Sequence, residues 1–422
     1  MRRFGYKRPV VWWATTVRSV RAVLPGRDGP FDGPADESVP VCPGGVLDEG
    51  QPRIVVLSGG IGAGHDHASQ ELARRLRQQG FQVDCIDLLG AMPRGSGRLI
   101  CAVYRRMLRV APWSYHALFR LACRFPGAAP CTRALVRPLR SRVLRLLPPD
   151  TRAVVSTFPL STQVLGPLRR DGRLAAPAIT YLTDFGVHPI WVSPGIDVYC
   201  APHEVSQAQA AALGAADVRV AGRLVAAGFR PASAPDRLRA RERFRLPPDA
   251  PLALLVAGSW GVGEVTTAAT EIAATGVAVP VVVCARNETL RRQLRRRGFD
   301  HVLGWVDDMP TLMRAVDVLV ENAGGLTALE GMASGLPVVT YRPIPGHGRA
   351  NAAMMQAAGV VTWVQRRDAL RATLAAAIDG TAGRAQRQAA LALFDADPTM
   401  VIVDLAKGRE SATPARTRPS RR

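Results

Sequence analysis

Two places in this chain set chemically capable residues at short, telling spacing. The first is His65, which follows the run Ser58-Gly59-Gly60-Ile61-Gly62-Ala63-Gly64. The start of a helix disfavours a charged imidazole, so a ring placed there stays able to take a proton near pH 7. The glycines leave room for a substrate to reach it, and His67, two residues on, points elsewhere on the helix. A plainer reading is that His65 only ends the turn and bonds a nearby backbone group. The second place is the stretch 304–351. Two apolar runs, 316–320 and 336–341, flank Gly324-Gly325 and a small helix that starts near Leu326 and closes at Gly335-Leu336-Pro337. A glycine pair opening a helix suits a phosphate, because the backbone can approach the anion and the free amides and the helix dipole attract it. The plainer reading here is local capping, with Thr327 and Glu330 as a T-x-x-E box.

The elements that would hold these groups read as α/β. Strand 53–58, a glycine loop, a helix to about residue 79 and a strand at 81–88 open a doubly wound domain. The loop spacing is G-G-x-G-x-G, not the dinucleotide fingerprint G-x-G-x-x-G. Further strands are expected at 153–156, 178–182 and 198–201, a helix at 203–213, then a strand-like piece at 217–220. In a parallel sheet the loops after strand carboxyl ends line the ligand crevice, which points to 183–191 with Asp184, His188 and Trp191. Alternatively Asp184 caps a turn and Trp191 fills the core. A second set begins with strand 252–257 and another glycine loop, Gly258-Ser259-Trp260-Gly261-Val262-Gly263, followed by strand 279–284 and a basic helix at 288–297 that reads as a solvated face. The expected organisation is a basic, aromatic arm at 1–50, a Rossmann-like domain at 51–230, a linker at 231–248 rich in Pro, Ala and alternating charge, a second Rossmann-like domain at 249–407 ending in helices, and a disordered basic tail at 408–422.

At 422 residues the chain can bury two full cores, and its formal net charge of +21, mostly arginine, suggests an anionic partner. Seven cysteines lie singly at 42, 85, 101, 123, 131, 200 and 284, with no C-x-x-C, which fits a reducing compartment better than a disulfide framework or a zinc site. No run is long and apolar enough for a membrane-spanning helix. At the amino terminus the basic residues before Val10-Val11-Trp12-Trp13-Ala14 have too short an apolar run behind them for a signal peptide. Trp12 and Trp13 could touch a membrane surface, or the arm is a solvated tail. Between Arg94 and Arg145 stand twelve arginines and no acidic residue, interleaved with Ile100, Val103, Tyr104, Leu108, Trp113, Tyr115, Leu118, Phe119 and Leu121, with prolines at 112 and 126 as breaks. A solvated face usually mixes signs, so interfacial binding to anionic lipid is favoured over an ordinary basic face, and over nucleic acid.

A longer pattern joins these pieces. Asp307-Asp308-Met309-Pro310, Gly324-Gly325-Leu326-Thr327, Glu330, Gly335-Leu336-Pro337 and Pro345-Gly346 to Asn351 together resemble the donor-site signature of the monogalactosyldiacylglycerol synthases and processive diacylglycerol glucosyltransferases, a group related to the peptidoglycan transferase that forms lipid II. The glycine turn with His65 and Ala68, and Thr183-Asp184 with His188 and Trp191 (T-D-x-x-x-H-x-x-W), resemble the same group. The resemblance implies the GT-B architecture, two Rossmann-like domains across a cleft. It implies inverting transfer of a sugar from a UDP-sugar to a membrane lipid hydroxyl of the diacylglycerol kind, on the cytoplasmic face of the cell membrane, with no cofactor and no metal. On the acceptor side stand His65 as base, Gly62, Gly64, Asp184, His188 and Trp191. The donor side takes in Gly258, Ser259, Trp260 and Gly261. It continues with the backbone near Trp305 and Val306 at uracil, Glu330 on both ribose hydroxyls, Gly325, Leu326 and Thr327 on the diphosphate, His347 where relatives place a sugar-contacting glutamine, and Met309, Gly324 and Asn351 as further donor-site residues.

The chain also departs from that group. Where relatives have G-x-P-V-R it has Gly222-Arg223-Leu224-Val225-Ala226, so Arg223 or Arg230 must meet the diphosphate or that contact is weaker. Where relatives carry P-G-Q-E-x-x-N it has His347 and Gly348, which removes the sugar-reading acid and, with Arg349, could admit a charged sugar such as a glucuronosyl donor. Asn322 stands where many relatives have lysine. Two other readings remain: a nucleotide-sugar epimerase or hydrolase on the same fold, which has no use for the basic aromatic stretch, and a catalytically weak membrane-binding protein, which Ala226 and Gly348 would suit.

Overall fold

The computed structural model describes residues 51–60, 63–92, 95–125, 127–257 and 263–408. The arm at 1–50 and the tail after 408 lie outside the described residues, as do Gly62, Gly258, Ser259, Trp260 and Gly261. Two six-stranded sheets carry the chain, and every strand pairing in them is parallel. The first contains β1 (Arg53–Ser58), β2 (Gln82–Asp87), β3 (Thr151–Ser156), β4 (Ala178–Tyr181), β5 (Val198–Ala201) and β6 (Val218–Val220), in the order β2-β1-β3-β4-β5-β6. The second contains β7 (Leu252–Val256), β8 (Val279–Val283), β9 (Val302–Leu303), β10 (Val318–Glu321), β11 (Val338–Tyr341) and β12 (Thr362–Val364), in the order β12-β11-β10-β7-β8-β9.

Parallel sheets covered on both faces demand continuous apolar strands, and β1 shows why. Val55 and Leu57 enter the core with Val154, Leu165 and Trp191, while Ile54 and Val56 enter the opposite one with Leu72, Leu76 and Val155. The second sheet is likewise clad on both faces. In each sheet the strand order reverses at one place, between β1 and β3 and between β7 and β10. The crevice opens there, at the carboxyl ends, where the first helix start and Gly324-Gly325 lie.

Two local results differ from plain sequence expectation, and a third agrees with the helical spacing of the sequence. The stretch at 231–248 is not open coil but holds the helix Ala234–Arg243, started by a reciprocal cap between Ser233 and Asp236. Arg241, only 4% exposed, fixes it to the second domain through Asp317 at 2.8 Å and the Ala315 carbonyl at 2.9 Å. Second, the helix Met400–Ala406 packs on the first sheet: Ile402, Val403 and Ala406 share a core with Ile54 and Val56. Third, the arginine-rich insertion between β2 and β3 forms the helices Ser96–Val110, Pro112–Arg124, Ala128–Leu135 and Leu139–Leu146. Leu99, Val110, Trp113, Leu121, Phe125 and Leu135 stand exposed on them. No helix among the described residues is long and apolar enough to cross a membrane.

Candidate active site

His65 occupies the first turn of the helix Ala63–Gln78. Its Nδ1 lies 3.1 Å from the Thr157 carbonyl oxygen, which follows β3. A carbonyl only accepts, so Nδ1 carries a proton, and in the neutral ring the lone pair is therefore on Nε2. Thr183 Oγ1, after β4, is 3.2 Å from the same Nδ1. Ser69 ties the Thr157 hydroxyl (2.7 Å) to the His65 carbonyl (2.8 Å), so two strand ends and one helix set the ring's orientation. Phe158 meets the imidazole edge-on at 5.4 Å. His67 is exposed.

The loop after β4 brings Asp184 and His188 to the same crevice. Trp191 is fully buried, with its ring 6.4 Å from His65 and 6.2 Å from His188, so it supports both imidazoles from the core. Burial pushes His188 down to about 4; the neighbouring His347 and His65 act in the same direction and Asp184 opposes them, so His188 is neutral at pH 7. His347 is lowered by burial as well.

On the opposite side Gly324, at φ +66°, and Gly325 lead into the helix Leu326–Ala333. The Glu321 carboxylate accepts the amides of Ala323, at 2.7 Å, and of Gly324, and it also accepts the Thr340 hydroxyl. Those bonds shape the turn. The amides of Gly325, Leu326 and Thr327 have no acceptor among the described residues, as the start of a helix requires unless a cap or anion supplies one. Thr327 and Glu330 do not form the capping box that their spacing allows. The helix starts at Leu326, its cap residue is Gly325, and no side chain caps it. Glu330 is left half-buried with no partner among the described residues, and burial pushes its carboxyl up to about 8.

The two helix starts face each other. A Cβ on Gly64 would lie 3.8 Å from that of Leu326, an ordinary van der Waals contact. Asn351, 1% exposed, is the strut beside them: its Oδ1 accepts the Gly186 amide at 2.8 Å, and its Nδ2 donates to Asp184 at 3.3 Å and to the Ala323 carbonyl at 3.4 Å. All of Asn351's described bonds thus go to the protein. Asn351→Ala would strand a buried amide and is expected to lower stability by about 1–3 kcal/mol, read as an earlier midpoint in urea unfolding.

The remaining expected residues are placed as follows. Trp305 and Val306 line a cavity of about 280 Å³ with Gly304, Asp307, Asp308 and Phe244. The Trp305 indole donates to Asp307 at 2.7 Å, and the Arg286 guanidinium lies over its ring at 4.8 Å. Met309 opens the helix Met309–Ala315, capped by Asp308. Arg223 is 2% exposed, over the Phe185 ring at 4.8 Å, with one donor 3.4 Å from the Thr183 carbonyl and its Nε and Nη1 without a partner among the described residues. Burial pulls it down to about 10. Arg230 pairs with Asp236 at 3.3 Å on the surface. Gly348 is closely packed: a Cβ would sit 3.0 Å from the Asn322 carbonyl oxygen and 3.3 Å from Ile344 Cβ, so an acid there requires those neighbours to give by a few tenths of an ångström.

Sequence reasoning missed Tyr115 and Glu321. Tyr115 comes from the basic aromatic stretch, yet its hydroxyl lies 3.1 Å from His347 Nδ1 in the second domain. The signal was the spacing of Tyr115 and Phe119 on one side of a helix whose other positions carry Trp113, Arg120 and Arg124.

Comparison with known proteins agrees with this geometry. The family description "Monogalactosyldiacylglycerol (MGDG) synthase" matches residues 65–222, and "Glycosyl transferases group 1" matches residues 251–379. The processive diacylglycerol beta-glucosyltransferase of Bacillus mycoides (strain KBAB4) is 26% identical over 384 residues, covering 86% of this chain and 95% of that protein. The enzyme of the same name from Bacillus cereus (strain G9842) is 24% identical over 379 residues, with the same coverage. Among solved structures, MurG of Acinetobacter baumannii aligns with a TM-score of 0.50 at 17% identity, covering 85% of this chain and 99% of that one. HepE of Anabaena, solved with UDP and glucose, aligns at 0.52 and 14%, with the same coverage. The chain is therefore a glycosyltransferase of the GT-B fold, with a first domain of the monogalactosyldiacylglycerol synthase type and a second of the group 1 glycosyl transferase type.

Proposed function

We propose that the protein transfers a sugar, with inversion, from a UDP-sugar to the hydroxyl of a diacylglycerol-like membrane lipid. One observation carries this reading: the imidazole with its open Nε2 and the uncapped start of the helix Leu326–Ala333 meet across the crevice at Gly64 and Leu326. A lipid hydroxyl placed between them gives its proton to His65 Nε2 while its oxygen attacks the anomeric carbon from the face opposite the diphosphate. The bond from that carbon to the diphosphate oxygen breaks, and the leaving charge collects on the amides of Gly325, Leu326 and Thr327 and on the helix dipole. Glu330 accepts the ribose hydroxyls. The chemistry invokes no metal. The names of the Bacillus relatives support a diacylglycerol acceptor.

The insertion supplies the route to a lipid. Its exposed Trp113, Leu121 and Phe125 lie among Arg106, Arg120 and Arg124, which are also exposed, so the protein docks peripherally, on the cytoplasmic face, against anionic headgroups. Vesicle binding is expected to rise with the anionic lipid fraction and to fall as salt screens the attraction. Changing Arg106, Arg120 and Arg124 together to Ser should weaken it by about 100-fold, at about 1 kcal/mol per arginine. Flotation with neutral and anionic vesicles checks this, and equal binding to both at every salt concentration would count against it.

The reaction itself is tested by incubating the protein with diacylglycerol-containing vesicles and a panel of sugar-labelled UDP donors. Label in the lipid phase supports transfer. Free sugar or a new sugar nucleotide would mean a hydrolase or epimerase, and no turnover with any donor would mean a binding protein that keeps the fold.

A further inference from the structure

The helix Pro112–Arg124 belongs to the first domain, yet two residues of its inner side bond to the second. Tyr115 and His116, adjacent in sequence, meet His347 and Gly346, also adjacent. The Tyr115 hydroxyl lies 3.1 Å from His347 Nδ1, and the two rings are edge-on at 5.7 Å. The Gly346 amide donates to His116 Nδ1 at 3.1 Å. Burial, Arg349 and Arg120 lower the pKa of His116, which keeps the nitrogen available as an acceptor. Gly346 has φ +85° and ψ −117°, a conformation open to glycine alone, and a Cβ there would come within 2.7 Å of the Tyr115 ring. One turn further, Phe119 meets His188 edge-on at 5.7 Å. The same face of one helix therefore grips the loop that opens the helix His347–Ala357 and the ring beside Asp184.

Held alone by the second domain, this loop would lose two hydrogen bonds and the aromatic wall that fixes the glycine conformation. We propose that Tyr115 and His116 are positioning residues of the donor-sugar site, supplied by the acceptor domain, which hold the 345–348 loop in the shape that receives the sugar. The proposal rests on the UDP-sugar reading above for its ligand, but not for its contacts.

The test uses the full chain with diacylglycerol vesicles, UDP-glucose, and the variants Tyr115→Phe, His116→Ala and His116→Asn. Tyr115→Phe and His116→Ala are each expected to raise KM for UDP-glucose about fivefold to tenfold, the worth of one hydrogen bond, with kcat within about twofold. Affinity for UDP, which lacks the sugar, should hold. His116→Asn, whose Oδ1 can accept the Gly346 amide, should restore most of the KM. Unchanged KM in both deletions, or a loss confined to kcat, overturns the proposal. Hydrogen exchange across residues 344–351 of the unliganded chain is read beside it: faster exchange in His116→Ala than in wild type is expected, and no difference overturns the proposal even where the wild type transfers nothing. A wild type that transfers nothing from UDP-glucose or from any other UDP donor of the panel, with the exchange difference present, instead refutes the transferase reading and leaves the loop contact standing.

Discussion

Replacing His65 with alanine is expected to lower turnover about 100-fold or more at saturating donor, with nucleotide affinity retained and the fold intact by circular dichroism. The expectation comes from geometry. The Thr157 carbonyl fixes the proton on Nδ1, so the lone pair on Nε2 is the one available to a substrate hydroxyl. Loss of the ring removes that acceptor but leaves Gly325, Leu326 and Thr327 untouched on the other side of the crevice. The exposed His67, on the same helix, is the control, and His67→Ala should change turnover little. Near-normal turnover in a folded His65→Ala protein would remove the base from the mechanism and turn attention to Asp184. His188 is a weaker second choice, because burial already makes it a poor proton acceptor.

The second large effect belongs to Glu330. A carboxylate accepting two ribose hydroxyls makes charge-assisted bonds, and Glu330→Gln should cost about 1.5–3 kcal/mol of UDP affinity, or roughly tenfold to a hundredfold. The pH dependence carries a sign. Burial without a partner raises the free carboxyl to about 8, so near pH 6 the unliganded group holds its proton. Accepting both hydroxyl bonds requires the ionised form, so binding releases that proton. Wild-type affinity should therefore climb from pH 6 and level off above about 8, whereas Glu330→Gln should stay flat. Calorimetric titration with UDP across that range decides. Equal affinity in the two proteins, or a wild-type profile without slope, would leave Glu330 with no part in nucleotide binding.

The sheets were legible because parallel strands buried on both faces read as plain apolar runs, as at Arg53–Ser58 and Leu252–Val256. Val302–Leu303 and Thr362–Val364 were not: each is an edge strand of two or three residues, too short to make a run. The helix Ala234–Arg243 left a signal in Ser233, Pro235 and Asp236, a helix-start pattern, which the surrounding charges obscured. Pairing of Arg241 with Asp317 lies 76 residues apart in the chain and leaves no local trace. The same limit applies at the site. That His65 stands at a helix start could be read from the glycines before it, but the proton on Nδ1 depends on Thr157, 92 residues away. The spacing of Thr327 and Glu330 suggested a cap that the helix start at Leu326 rules out. Tyr115 looked like one more aromatic in a membrane-facing stretch, and only the packing of the domains shows it beside His347.

The central claim is that a lipid oxygen, deprotonated at His65, displaces UDP directly from the opposite face of the sugar. The measurement that tests it most directly is the anomeric configuration of the glycolipid formed from an α-linked UDP-sugar and diacylglycerol vesicles, read by proton NMR on the extracted lipid. A single displacement predicts a β-linked product, absent when His65→Ala replaces the wild type. An α-linked product, or sugar that never enters the lipid phase with any UDP donor, would contradict it.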